Sequence, residues 1–322
     1  MRKAISTLPE TATRAARRSI TGDPEMRIRD RAREAFVRPK RPSVVRAVDK
    51  ALFTGAVGWI LLTEYVVLPL GSKEVHTKAP LLKSVLLYGA AATGKTLLTH
   101  AAAAATGATF FNLSPRNTDS KYPGSAVKLL IHMVFKVART MAPAVIYIDE
   151  AEKVFVSDKK KVKEFGTKEA PGRIRKELLK ECKGLSPGDR VVVVGNSNQP
   201  QLVLGPKPNG KAVKDNKAFM DFFSKFIYTP IPDYASVKSL YEGVVLKYGA
   251  RLHHDFDMST LSRISAGYAP GAIQNIQNVV QPLQVSEFIA HLAKYEPVHD
   301  EELEGLAAWT AQLPNHITEG GG

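Results

Sequence analysis

The chain has 322 residues, which is enough for two domains of ordinary size or for one large domain with an appendage. Hydrophobic residues make up 44% of it and charged residues 24%, a balance that argues against global disorder and allows a sizeable core. Its single cysteine, Cys182, excludes an internal disulfide framework and suits a reducing compartment. The formal net charge of +14 favours an anionic partner, with solvated basic faces as an equal alternative.

The first 80 residues predict a basic N-terminal arm followed by a linker helix. Residues 1–50 carry 14 Lys and Arg against 6 Asp and Glu, which is typical of an exposed arm rather than of a core. The Arg, Ser and Thr content of this arm resembles an organelle transit peptide, but its acidic residues count against that interpretation. Ala51–Leu70 is more apolar, and its Glu64 and Pro69 favour a helix packed on the next domain over a membrane span.

Residues 81–232 predict an α/β domain with a parallel sheet flanked by helices. Apolar runs such as Ala144–Ile148 are continuous rather than alternating, as expected for strands buried on both faces. The predicted strands are Val85–Tyr88, Ala108–Leu113, Ala144–Ile148, Arg190–Val194 and Phe226–Thr229, and the predicted helices include Leu97–Ala105 and Ala126–Thr140. Two segments, the lysine-rich Ser157–Lys183 and the turn-rich Gln201–Asp221, are expected to be exposed interruptions of this domain.

A smaller all-helical domain is predicted for residues 233–312, because the strand signals stop after Pro232. Its predicted helices are Ala235–Tyr248, Met258–Ala266, Gly271–Val280 and Val285–Lys294. Residues 313–322 are polar and rich in glycine, which predicts a frayed tail.

A phosphate-binding loop joins the first predicted strand to an alanine-rich helix. Gly89, four further residues and Gly94-Lys95-Thr96 match the pattern G-x-x-x-x-G-K-[ST]. Glycines let the backbone turn so that its N–H groups face a phosphate, and the helix N-terminus that follows favours negative charge. The candidate nucleotide-binding residues are Gly89, Ala90, Ala91, Ala92, Thr93, Gly94, Lys95, Thr96 and Leu97. Lys95 would neutralise the β- and γ-phosphates, and the Thr96 hydroxyl would bind Mg²⁺.

Asp149 and Glu150 follow the buried strand Ala144–Ile148, and they form the second part of the candidate site. At the end of a strand beside the phosphate loop, Asp149 would contact the nucleotide and hold Mg²⁺, while Glu150 would deprotonate the attacking water. A polar residue after Val191–Val194 would also contact that water or the γ-phosphate. Asn198 is the preferred candidate for this role and Asn196 the second.

These motifs resemble those of an AAA+ ATPase module, and the resemblance extends over about residues 81–294. The segments that carry it are the phosphate loop, Lys121–Gly124, Arg139–Pro143, Asp149-Glu150, Gly195–Pro200, Pro230–Asp233 and Gly267–Gly271. Within that superfamily the chain is similar to the ciliary proteins that combine an IQ motif with an AAA domain, which include a subunit of the nexin–dynein regulatory complex. The segments that indicate this group are Glu64–Gly71, Ala79–Leu87, Phe111–Ser114, Phe135–Arg139 and Pro232–Ser236.

The resemblance implies ATP and Mg²⁺ as ligands and a place in a cytoplasmic, axonemal assembly of a cilium or flagellum. It also implies cytoskeletal partners, with the acidic surface of a microtubule as one candidate. The protein is further expected to be able to form oligomers and not to bind a membrane. Tyr122 stands where such modules place an aromatic residue that grips a polypeptide, although packing in a turn is an equally good interpretation.

One departure from the family pattern bears on activity. AAA+ motors usually place one or two arginines just before the last strand, whereas Asp221–Phe226 contains only Lys225 as a cation. Three hypotheses follow: an Mg²⁺-dependent ATPase with slow turnover, a structural subunit that nucleotide stabilises, and an ATPase associated with nucleic acid. The basic arm has a single aromatic residue, Phe36, among its arginines, which makes the nucleic-acid hypothesis the weakest.

Overall fold

The structure is a computed structural model that describes residues 56–205, 210–248, 253–274 and 284–313. The predicted basic arm, nearly all of the predicted tail and the second half of the helix expected over Gly271–Val280 lie outside these residues.

Five parallel strands form one sheet in the order β2-β3-β4-β1-β5, which confirms the predicted α/β architecture. The strands are β1 (Ser84–Tyr88), β2 (Thr109–Asn112), β3 (Ala144–Ile148), β4 (Val191–Ser197) and β5 (Lys225–Tyr228). Every residue of β1, β3 and β4 is buried, as their continuous apolar runs predict. Because these three strands are neighbours and run in the same direction, the segments that follow them meet at one edge of the sheet.

Helices surround the sheet and make up the C-terminal part of the chain. They are α1 (Ala56–Leu62), α2 (Leu68–Gly71), α3 (Lys73–Lys78), α4 (Lys95–Thr106), α5 (Pro115–Thr118), α6 (Ala126–Thr140), α7 (Ala151–Phe155), α8 (Lys159–Glu164), α9 (Arg175–Lys183), α10 (Gly210–Phe222), α11 (Tyr234–Tyr248), α12 (Met258–Ile264), α13 (Pro270–Gln274), α14 (Val285–Leu292) and α15 (Asp300–Thr310). A π-helical turn, Thr63–Val67, joins α1 to α2, and 3₁₀ turns lie at Pro171–Ile174 and Pro200–Leu202.

The apolar helices at the start of the described chain pack on the sheet domain. Leu62, Val66 and Leu70 are buried in one cluster with Leu98 of α4 and side chains of β1, β3 and β4. None of the described helices combines the length and the apolar character that crossing a bilayer requires.

An aromatic cluster fills the space beside β1 and β5. We use this name for Phe155, Phe219, Phe222, Phe223, Phe226 and Trp309. Phe155 and Phe219 meet edge to face with centroids 5.1 Å apart, and Phe222 and Phe223 do so at 4.8 Å. Trp309 of α15 contacts Phe226 at 5.8 Å and Tyr88 of β1 at 5.1 Å. A helix that the sequence patterns did not predict thus completes the core of the sheet domain.

Two segments expected to be exposed interruptions are structured and partly buried. Within Ser157–Lys183, helix α9 buries Leu178 and Cys182, four residues apart on one face, while the lysines lie on the other. Within Gln201–Asp221, α10 buries Phe219 in the aromatic cluster. The expectation was wrong because lysines and turn residues dominate these segments locally, while their few apolar side chains find partners elsewhere in the fold.

The C-terminal helices form a second small core. It contains Val237, Leu240, Tyr241, Leu261, Ile273, Phe288 and Leu292, contributed by α11 to α14. This arrangement agrees with the prediction that helices alone follow the sheet.

Candidate functional site

The predicted phosphate loop turns sharply where β1 ends. Gly89 has φ +150°, and a Cβ there would lie 2.3 Å from the carbonyl oxygen of Thr229, so a side chain cannot be accommodated. Gly94 has φ +95° and caps α4, which begins at Lys95. The two glycines of the motif are therefore required by close approach at one end of the loop and by a left-handed turn at the other.

Lys95 is buried inside this loop and donates hydrogen bonds to it. Its Nζ lies 2.8 Å from the carbonyl oxygen of Gly89, 2.5 Å from that of Ala90 and 3.2 Å from Oγ1 of Thr93. Burial lowers the pKa of Lys95 to about 8, although the carboxylates of Glu152 and Asp149 act in the opposite sense. An ammonium group held this way is placed to exchange loop carbonyls for anionic phosphate oxygens.

Two other parts of the chain hold the loop. The Thr93 hydroxyl lies 3.1 Å from that of Thr229, just beyond β5, and donates to the carbonyl of Ala90 at 2.9 Å. From the C-terminal helices, the backbone N–H of Gly271 donates to the carbonyl of Ala92 at 3.1 Å. The candidate nucleotide site therefore lies where the sheet edge meets the helical part of the chain.

Asp149 and Glu150 lie at the adjacent end of β3. The backbone N–H of Asp149 donates to Oγ of Ser114 at 2.8 Å, and the N–H of Glu150 donates to Oδ1 of Asp149 at 3.1 Å. Glu150 itself has φ +49°, a left-handed conformation unusual for this residue type. Its Oε1 accepts from Lys153 Nζ at 2.9 Å and from Arg116 Nη2 at 3.1 Å.

A small polar network links the loop helix to β3 and β4. Oγ1 of Thr96 lies 3.2 Å from the hydroxyl of Tyr147, and the Asn196 amide lies 3.0 Å from that hydroxyl. The amide orientation that satisfies both groups directs the Asn196 oxygen toward Tyr147 and toward the Thr96 backbone N–H. Burial raises the pKa of Tyr147 far above its ordinary value, and the neighbouring Asp149 carboxylate acts in the same direction.

Of the two asparagines considered from sequence, the structure brings Asn196 to the loop. Asn196 is a buried residue of β4, whereas Asn198 lies half-buried just beyond the strand. Strand β4 extends past its predicted end at Val194 as far as Ser197, because Gly195–Ser197 pairs with Leu86–Tyr88 of β1. The role of Asn198 stays a prediction.

Glu152 is a residue of this region that sequence reasoning missed. Its side chain is buried, and burial raises the pKa of its carboxyl to about 7. Within the described part of the chain, its Oε2 and the Oγ of Ser197 have no hydrogen-bond partner. The Ser197 hydroxyl at the end of β4 nevertheless lies close enough to this carboxyl to lower its pKa, against the larger effect of burial, so the two groups face one another.

Tyr122 and Lys225 are the residues that the sequence analysis considered for contact with a substrate polypeptide and with a neighbouring subunit. Both contact other residues of this chain. Tyr122 is 4% exposed, and its carbonyl accepts from Arg173 Nη1 at 2.6 Å, an arrangement that favours the packing interpretation. Lys225 places its Nζ 5.0 Å from the ring centroid of Tyr65, near the start of the described chain.

The five-stranded order, the glycine-rich loop and the acidic pair at the end of β3 define an AAA-type nucleotide-binding domain. The family profile described as "ATPase family associated with various cellular activities (AAA)" matches residues 85–209. The chain belongs to this family.

Curated relatives include dynein regulatory complex protein 11 of Mus musculus, which is 37% identical over 272 residues. That alignment covers 79% of this chain and 30% of the mouse protein. Spastin of Drosophila persimilis is 32% identical over 263 residues, covering 80% of this chain and 29% of spastin. The chain thus spans about a third of the length of these relatives.

Solved structures agree with the fold. The FIGL-1 AAA domain in complex with ADP has a TM-score of 0.60 and 27% identity, covering 79% of this chain and 86% of that domain. A second crystal structure of the FIGL-1 AAA domain has a TM-score of 0.63 and 26% identity, covering 81% of this chain and 88% of that domain.

Proposed function

We propose that this chain binds ATP with Mg²⁺ and hydrolyses it slowly, as a subunit of a ciliary or axonemal assembly that regulates dynein. The observation that carries the proposal is Lys95, an ammonium buried in a glycine-containing loop with Thr96 beside it and Asp149 and Glu150 at the adjoining strand end. A buried cation whose partners are two carbonyl oxygens and a hydroxyl, all uncharged, is a favourable partner for phosphate.

The donor set fits the expected ligands. Thr96 and Asp149 offer the hydroxyl and carboxylate oxygens that Mg²⁺ prefers, and Tyr147 and Asn196 orient Thr96 by hydrogen bonds. Bound Mg²⁺ would neutralise charge on the phosphates. Lys95 would position the β- and γ-phosphates, and the Glu150 carboxylate would accept a proton from water.

The proposed turnover is slow because Asp221–Phe226, the segment where AAA+ motors usually carry arginine, contains none. The one cationic side chain of this segment is Lys225, and the Lys225 ammonium lies over the Tyr65 ring. A lysine lacks the planar fork with which arginine stabilises a transferring phosphoryl group. The absence of such a residue lowers the rate on the order of 10³-fold.

Support for the axonemal role comes from the similarity to dynein regulatory complex protein 11. Support for a cytoskeletal partner comes from the net charge of +14, which suits an acidic protein surface. We therefore propose a cytoplasmic, axonemal location and the microtubule surface or an axonemal protein as partner.

Steady-state ATP hydrolysis by the purified chain tests the enzymatic part. We expect Lys95→Ala to weaken ATP binding roughly 100-fold, because it removes charge-assisted hydrogen bonds to two phosphates. Glu150→Gln should keep ATP binding and lose turnover. Lys128→Ala, an exposed lysine of α6, is the matched control and should behave as wild type. Equal activity of the wild type and both site variants would contradict hydrolysis at this site.

A structural subunit stabilised by nucleotide is the second candidate, favoured by the absence of an arginine in Asp221–Phe226. ATP would then raise the unfolding temperature by mass action without being consumed. This candidate would be favoured over the first if ATP raised the unfolding temperature of the wild type but not that of Lys95→Ala, and if Glu150→Gln left turnover unchanged.

Salt-dependent co-pelleting separates the partner classes. We expect binding to microtubules that falls as the salt concentration rises, since exposed charges are screened. DNA binding at the same salt concentration is the comparison. Binding to DNA alone would favour the hypothesis of an ATPase associated with nucleic acid.

A further inference from the structure

Two buried polar side chains hold the Thr96 hydroxyl, the group proposed to bind Mg²⁺ from the phosphate loop. Oγ1 of Thr96 lies 3.2 Å from the hydroxyl of Tyr147, and the Asn196 amide lies 3.0 Å from that same hydroxyl. Tyr147 is 2% exposed and Asn196 is 1% exposed, whereas Thr96 is exposed. The two side chains therefore approach Thr96 from the interior of the protein and leave its outer side open to a ligand.

Packing and strand pairing fix both buried groups. The Tyr147 ring contacts His100 of α4 and Phe110 of β2, with centroids 6.0 Å and 5.4 Å away. Asn196 belongs to β4, where its backbone is paired with Leu87 of β1. A hydroxyl and an amide carried by central strands have little freedom to move, so they can define the orientation of a third group.

The hydrogen bonds of this network have a definite direction. In the amide orientation that satisfies both groups, Oδ1 of Asn196 accepts from the Tyr147 hydroxyl at 3.0 Å and from the Thr96 backbone N–H at 3.2 Å. Because the Tyr147 proton is used in this bond, the Tyr147 oxygen accepts from the Thr96 hydroxyl. Thr96 thus keeps its oxygen lone pairs for a cation, as a metal ligand must.

The Tyr147 hydroxyl also lies near Asp149, the second proposed ligand of the metal. Burial raises the pKa of Tyr147, and the negative charge of the Asp149 carboxylate raises it further. The hydroxyl therefore keeps its proton near neutral pH. It can then donate one hydrogen bond and accept another while the cation is left to Thr96 and Asp149.

We propose that Tyr147 and Asn196 are positioning residues that orient the Thr96 hydroxyl toward Mg²⁺, and that they set how much the metal adds to the affinity for ATP. The inference rests on the proposed ATP-binding function. Removing a side chain that hydrogen-bonds a metal ligand typically lowers metal affinity by roughly 10- to 100-fold. One uncharged hydrogen bond contributes less, so about three- to tenfold is expected here. ATP bound without metal should be unaffected, because Lys95 and the loop backbone contact the phosphates directly.

Binding of the non-hydrolysable analogue AMP-PNP to the full chain tests the inference without relying on turnover. Titration calorimetry gives the dissociation constant in excess EDTA and in saturating Mg²⁺. We expect Tyr147→Phe to leave the value in EDTA unchanged and to reduce the gain in affinity from Mg²⁺ about three- to tenfold. Asn196→Ala should act in the same direction. The double variant should lose no more than the larger single loss, because both side chains act through one series of hydrogen bonds.

Tyr241→Phe is the matched control, since it also removes a buried tyrosine hydroxyl, one that lies 2.6 Å from Oγ of Ser265 in the second small core. Its gain in affinity from Mg²⁺ should equal that of the wild type. The same gain in Tyr147→Phe would overturn the inference and mean that the Tyr147 hydroxyl only holds α4 on β3. An effect of Tyr147→Phe that is equally large in a Thr96→Ala chain would also overturn it, because the effect would not pass through Thr96.

Lys95→Ala separates this inference from the function on which it depends. If Lys95→Ala weakens AMP-PNP binding while Tyr147→Phe leaves the gain from Mg²⁺ unchanged, ATP binding at the loop stands and the inference fails. If Lys95→Ala binds AMP-PNP as tightly as the wild type does, nucleotide binding at this loop fails and the inference fails with it.

Discussion

Two regions flank strand β1 and differ in chemistry. On the side of β4 and β3 lie the polar and charged groups of the candidate site, including Lys95, Asp149 and Asn196. On the side of β5 and α10 lies the aromatic cluster, and Asp221–Phe226 supplies three of its phenylalanines. AAA+ motors usually carry arginine just before the last strand, where this chain has aromatic side chains and Lys225.

Nucleotide binding and activation by a neighbouring subunit are therefore expected to depend on separate elements. The groups expected to hold ATP follow β1 and β3, whereas a residue that acts on a neighbour would precede β5. The first set can be complete without the second, because different segments of the chain supply the two sets of side chains. A chain built this way is expected to bind ATP firmly and to hydrolyse it slowly.

Removing Trp309 should have the largest effect on stability, because this side chain joins the two regions. Trp309 is 1% exposed and contacts Tyr88, which precedes the phosphate loop, as well as Phe226. We expect Trp309→Ala to cost about 3–5 kcal/mol of unfolding free energy. A protein of this size then loses about 1–2 °C of melting temperature per kcal/mol, measurable by calorimetry.

Leu246→Ala is the matched control for Trp309→Ala, since that leucine is 79% exposed. Its unfolding free energy should change by no more than about 0.5 kcal/mol. A melting temperature of Trp309→Ala equal to that of the control would mean that α15 does not belong to the core of the sheet domain.

A side chain at Gly195 should push the two regions apart at the centre of the sheet. Gly195 of β4 pairs with Leu86 of β1, and a Cβ there would lie 2.6 Å from Cζ of Phe223. We expect Gly195→Ala to destabilise the protein by about 1–3 kcal/mol through overpacking. Denaturant unfolding of Gly195→Ala, Phe223→Leu and the double variant forms a cycle in which the smaller side chain should recover much of the loss. Additive losses would contradict a direct clash.

The pKa of Lys95 predicts how ATP binding depends on pH. Burial lowers this pKa to about 8 in the free protein, and bound phosphates favour the charged form, so ATP binding takes up a proton above pH 8. Affinity should then fall by up to about tenfold per pH unit above pH 8 and stay level below pH 7. Titration calorimetry in two buffers of different ionisation enthalpy measures the proton uptake directly. Lys95→Ala should show none, and an affinity independent of pH between 7 and 9.5 would contradict the mechanism.

Lys225→Ala should have the smallest effect of these substitutions. Its Nζ contacts the Tyr65 ring, so its loss should cost about 0.5–1 kcal/mol of unfolding free energy and leave turnover within about twofold. A residue that acted on a neighbouring nucleotide would instead lower the rate on the order of 10³-fold when removed. Lys225→Arg, which keeps the charge above the ring, should preserve both stability and turnover.

Sequence patterns alone predict the phosphate loop, the acidic pair and the parallel sheet. These features are local: Gly89 and Gly94 sit at a spacing that a tight loop requires, and Ala144–Ile148 is too apolar to be anything but buried. The charged segment Ser157–Lys183 misled the prediction for the same reason, since local composition does not reveal the partners of Leu178 and Cys182.

Which side chains contact one another is seen only in the tertiary structure. Asn196 rather than Asn198 reaches Thr96 because β4 continues through Ser197, and Arg116 reaches Glu150 across 34 positions of sequence. Trp309 contacts Tyr88 from the far end of the described chain. These contacts depend on the order of strands in the sheet and on the burial of distant residues, and no pattern within a single segment encodes either.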